Sequence, residues 1–72
     1  MNISANRRFL SIRTLLGKTQ AQFAFELGCH TNTLHRVEKE KNKLPTKWIT
    51  YLSDKYNISP TWILLGKGEL FC

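Results

Sequence analysis

Seventy-two residues without an apolar run of about 18 exclude a membrane-spanning helix and leave room for one small domain with a modest core. Eleven Lys and Arg against five Asp and Glu give a net charge of +6, a balance that favours a polyanionic partner, nucleic acid first. Two cysteines and two histidines without zinc-finger spacing exclude a disulfide framework and a structural metal; with no signal-peptide pattern, a cytoplasmic chain with reduced thiols is expected.

In chain order, Asn2 to Asn6 reads as a short polar arm, with Ser4 as an N-cap. Phe9, Ile12 and Leu16 fall at i, i+3 and i+7 and predict a first helix from Ala5 to Leu16. Arg7 and Arg8 lie early in it, where the helix dipole disfavours cations; a nearby phosphate would offset that, and two solvated arginines are the alternative. Gly17 ends the helix in a left-handed conformation, with Lys18 in the loop.

Thr19 and Gln22 make a Thr-x-x-Gln capping box that opens a second helix, in which Phe23, Ala24 and Leu27 share a face. Gln20, at the first helical position, can present its amide to a phosphate. Gly28-Cys29-His30 breaks the pattern: Gly28 supplies positive φ, Cys29 fills the turn, and the small Ala24 lets the next helix cross closely. Phe25 leans outward, where a single apolar side chain is usually of no consequence.

In the segment Thr31–Lys39, Leu34 and Val37 share one face and Asn32, His35, Arg36 and Lys39 occupy the opposite one. That polar and basic face has no carboxylate and suits base edges and phosphates in a DNA groove. Glu38 leans toward the apolar side and Arg13 neighbours the inner face of the first helix, so the two are expected to meet as a structural ion pair. Lys39 to Leu44 reads as a loop whose Lys39, Lys41 and Lys43 can reach a phosphate backbone.

Pro45 fits the first turn of a fourth helix that runs to about Tyr56 and closes the core with Trp48, Ile49, Leu52 and Tyr56; Asn57 ends it. Ser59-Pro60 opens a fifth helix through Leu65, stopped by Gly66. Trp62 to Leu65 are four consecutive large apolar residues, a surplus that suggests a second copy of the chain, with Trp62, Ile63 and Leu64 at the dimer interface. The domain is expected to span 1–66, and 67–72 to be a tail in which Cys72 frays.

Thr19 to Gly28 followed by Thr33 to Glu38 resembles the helix-turn-helix of the lambdoid phage repressor and Cro (XRE-like) superfamily, with its Thr-Gln opening, apolar-Ala pair, turn glycine and closing Glu. Arg13 stands where that family has its first-helix Arg, and Trp62-Ile63-Leu64-Leu65-Gly66 matches its Trp-Leu-Leu-x-Gly ending, so the likeness covers about Phe9 to Gly66. It implies an all-α, five-helix repressor-like fold with a central helix-turn-helix, an Arg13–Glu38 pair between first and third helices, and Gln20 as a backbone anchor. The chain departs from the family at Glu40, where members often have Gly, which leaves the loop path open, and at Phe25, which with His30 is closer to controller proteins of restriction–modification systems.

The expected function is sequence-specific duplex-DNA binding by a homodimer, repressing a phage or mobile-element promoter within the cytoplasm and nucleoid. Thr31, Asn32, Thr33, His35 and Arg36 are the candidates for base readout, Thr31 and Thr33 alternatively serving phosphates; Gln20, Lys39, Lys41 and Lys43 are the phosphate candidates. No enzyme, cofactor, metal, small-molecule or membrane role is expected: His30 and His35 lack a nucleophile or a carboxylate partner, and no phosphate-binding glycine motif occurs. The alternatives are a restriction–modification controller and an antitoxin-like module whose main partner is a toxin protein.

Overall fold

The computed structural model describes residues 3–72, so Asn2 of the polar arm lies outside the described residues. These residues form five helices: α1 Ala5–Leu15, α2 Gln20–Leu27, α3 Thr31–Glu38, α4 Thr46–Tyr56 and α5 Pro60–Leu65. Among the described residues there is no strand beyond an isolated bridge between Ile58 and Phe71, and no helix is long and apolar enough to cross a membrane.

Local chemistry explains the helix ends. The Ser4 side chain accepts from the Arg7 N–H to start α1, and Thr19 and Gln22 make both bonds of a capping box at α2. The Ser59 side chain accepts from the Trp62 N–H at α5, with Pro60 in its first turn. Two ends differ from expectation. Leu16 is the C-cap of α1 rather than its last helical residue, and Pro45 is an extended N-cap (ψ 135°), with α4 beginning at Thr46.

Among the described residues, eleven apolar side chains from all five helices and Ile58 make one core, with Phe9 fully buried in it. Its ring lies 5.4 Å from Phe23 and is stacked on Trp48 at 5.5 Å, tying α1 to α2 and α4. α3 packs on both α1 and α2, while α5 packs on α1 and α4. The inner face of α3 is thereby fixed and its other face left to solvent.

Three expectations about the periphery are corrected. Ile63 is fully buried in the chain's own core and Trp62 is half-buried, so Ile63 is no interface residue; of the apolar run only Leu64 and Leu65 are exposed. Arg8 is not poised for a phosphate. Its guanidinium donates to the carbonyls of Ile63 (2.7 Å), Leu64 (2.8 Å) and Ile3, holding the negative end of α5. Gly66 is needed beneath it, since its φ is +70° and a Cβ would come within 3.2 Å of Arg8 Nη1. Nor does Cys72 fray: its N–H donates to Asn57 O and the Ser59 N–H donates to Leu70 O, both at 2.7 Å. Residues 67–72 fold back because Leu70 finds apolar cover against the core.

Candidate nucleic-acid interface

The turn between α2 and α3 is held from inside. Gly28 takes φ 74°, and the Cys29 N–H donates to Ala24 O at 3.0 Å, so the chain reverses over Ala24, itself buried. Burial pushes the Cys29 thiol up, against a smaller opposing effect of Lys47, in keeping with an inert turn residue.

Beyond this turn α3 is strongly two-sided. Leu34 and Val37 are buried, whereas Thr31, Asn32, His35 and Arg36 are exposed and Thr33 is half-exposed. Among the described residues, the side chains of Thr31, Asn32, Thr33 and Arg36 make no hydrogen bond, and His30, the N-cap residue, makes no side-chain cap bond. The N–H groups of Thr31 and Asn32 therefore remain open at the positive end of the helix.

The only carboxylate on α3 is turned inward. Glu38 is 3% exposed and accepts from Arg13 at both oxygens, Nε to Oε2 at 2.6 Å and Nη2 to Oε1 at 3.3 Å, while Arg13 Nη1 donates to Lys18 O. Gln20 is drawn into the same group: its amide nitrogen donates to Glu38 Oε1 at 2.8 Å and lies 3.3 Å from His35 Nδ1. This alters the expected role of Gln20. Its donor is engaged within the protein, because the buried Glu38 needs a second partner.

The basic loop follows directly. Lys39, Lys41 and Lys43 are exposed and, among the described residues, none is in an ion pair. The loop turns at Glu40, which adopts φ 64° where the resembled family often has Gly. Two residues of the N-terminal segment hold that turn. Ser4 Oγ donates to Glu40 Oε1, and Asn6 Nδ2 donates to the carbonyls of Val37 (2.8 Å) and Asn42 (2.9 Å). Nothing local in the sequence signals Asn6, whose partners lie 31 and 36 residues away.

A second polar cluster also escaped the sequence. Glu26 on α2 accepts from the hydroxyls of Tyr51 (2.8 Å) and Tyr56 on α4, and pairs with Lys18 (3.0 Å) and Lys55 (3.3 Å). Burial acts to raise its carboxyl, but hydrogen bonds from Tyr56, Lys18, Tyr51 and Lys55 together outweigh it and bring the pKa down to about 2. Tyr56 therefore does more than pack. The signal available was general: a tyrosine hydroxyl at a core edge needs a partner. Lys18 and Lys55 thus share one carboxylate, unlike Lys39, Lys41 and Lys43 after α3, which among the described residues pair with none.

Searches of family models, curated proteins and solved structures found no match to this chain.

Proposed function

We propose that α2, the Gly28–His30 turn and α3 act as a helix-turn-helix of the repressor type, within a lambda-repressor-like domain that binds duplex DNA as a homodimer and regulates transcription, repressing a phage or mobile-element promoter. One observation carries this reading: α3 exposes Thr31, Asn32, His35 and Arg36 with no competing carboxylate, because Glu38 is buried against Arg13. Amide and guanidinium groups on one helix face match adenine and guanine edges in the major groove. The open N–H groups at the start of α3 and the exposed Lys39, Lys41 and Lys43 suit phosphates on either side.

Selection from a random DNA pool tests it. The expected result is an enriched two-fold site whose affinity falls steeply with salt, and Lys41→Ala and Lys43→Ala should each lower the salt slope by about one. A pool with no enriched sequence and salt-insensitive binding would overturn the proposal.

Phe25, 89% exposed on α2, favours a second reading, an antitoxin-like module whose main partner is a toxin protein. On that reading Phe25→Ser abolishes the protein contact and leaves the selected DNA sequence unchanged.

A further inference from the structure

Gln20 begins α2 and His35 lies in the last turn of α3, and the amide of the first meets the ring of the second. The orientation of that amide is decided by Glu38. Its carboxylate, paired with Arg13 at both oxygens and 3% exposed, can only accept, so the group 2.8 Å from Oε1 must be the Gln20 nitrogen. Turned over, the amide would set oxygen against oxygen. The same nitrogen carries a second hydrogen and lies 3.3 Å from His35 Nδ1. This contact is a hydrogen bond only if Nδ1 accepts, and an uncharged ring that accepts at Nδ1 carries its proton on Nε2.

We infer that Gln20 is a positioning residue that holds His35 in the Nε2-protonated tautomer, so that α3 presents a fixed N–H donor at this position. The chain of bonds from Arg13 through Glu38 and Gln20 to His35 carries the orientation from the inside of the domain to its outer face. A fixed donor selects an acceptor edge: guanine, whose O6 and N7 both accept, is favoured and cytosine, which offers an amino donor, is rejected. A ring free to exchange tautomers would accept either. The base preference rests on the DNA-binding reading above; the tautomer does not.

The test has two arms. In the first, long-range 15N–1H spectra of the imidazole rings are recorded for the DNA-free protein and for Gln20→Met, at about pH 8.5, where an ordinary imidazole is uncharged; His30→Gln separates the two histidines. The native protein should show His35 with Nδ1 unprotonated and Nε2 protonated, and Gln20→Met should show an average of both tautomers. In the second arm both proteins select from a random DNA pool. Gln20→Met should lose discrimination between guanine and cytosine at one base pair per half-site by roughly three- to tenfold, the worth of one hydrogen bond. A native His35 protonated at Nδ1, or already averaged, overturns the inference even if an operator is found. An unchanged ring spectrum in Gln20→Met removes Gln20 from the role. A spectrum as expected beside a pool with no enriched sequence instead fails the DNA reading, and the base preference with it.

Discussion

Among single residues, Asn32 makes the sharpest test of base readout. It is exposed near the start of α3, one turn before Arg36 on the same face, and no intramolecular bond restrains its amide among the described residues. An Asn amide can give and take one hydrogen bond each with an adenine edge, whereas the Arg36 guanidinium can donate two to guanine. Asn32→Ala should therefore cost about 1–3 kcal/mol at the selected site and flatten preference at one base pair per half-site. Its salt slope should stay constant, since no phosphate contact is lost. Competition among single-base variants of the site measures this; uniform weakening across all variants would assign Asn32 to the backbone.

Between elements, two polar ties of different depth join the helices around α3. The deeper joins α1 to α3 through Arg13 and Glu38, and its two ends are unequal: Arg13 is 16% exposed, Glu38 3%. Arg13→Ala strands a carboxylate in the interior with only the Gln20 amide beside it. Glu38→Ala leaves a guanidinium that still donates to Lys18 O and reaches water. Both should lower the melting temperature, Arg13→Ala the more, by about 3–5 kcal/mol of stability; equal effects would refute the asymmetry. The shallower tie joins α2 to α4 through Glu26. Because its folded pKa is lowered from 4.5 to about 2, its contribution is fully present above pH 4.5 and is lost as pH falls through about 2. Glu26→Gln should cost about 1–3 kcal/mol at neutral pH, and the gap between variant and native chain should close as the solution is acidified. Urea unfolding over this pH range reads it directly, and a gap independent of pH would mean that the variant acts through packing.

For the whole molecule, size bears on how DNA could be engaged. The greatest extent of the backbone is 30 Å, less than the spacing of roughly 34 Å between half-site centres one helical turn apart. A single copy therefore cannot cover a two-fold site. Leu64 and Leu65 are 51% and 63% exposed and, with Ile3 at 58% and the half-buried Trp62, line one groove that a second copy could cover. Leu64→Asp should shift a monomer–dimer equilibrium toward monomer in sedimentation and weaken binding to a two-half-site DNA while leaving the melting temperature nearly unchanged. Ile63→Asp would unfold the domain instead, since Ile63 belongs to the core. A strictly monomeric native chain, both free and on DNA, would contradict the dimer.

The sequence by itself determined the five helices, most of their caps and the two-sidedness of α3. Those properties depend on residues within a turn or two of one another: Thr19 with Gln22, Ser59 with Trp62, Leu34 with Val37 against Asn32 and Arg36. Tertiary structure alone decided where the surplus polar and apolar groups go. Whether Ile63 faces the core or a partner depends on how α5 lies on α1 and α4, and hydrophobic periodicity in a helix of six residues is too short to settle that. The engagement of Gln20 with Glu38, Arg8 with α5, Asn6 with the basic loop, and Glu26 with two tyrosines likewise joins residues 18 to 56 positions apart. Such pairs leave no periodic trace. They exist because close packing of the core brings polar groups to its edge, where a buried donor or acceptor left without a partner is costly.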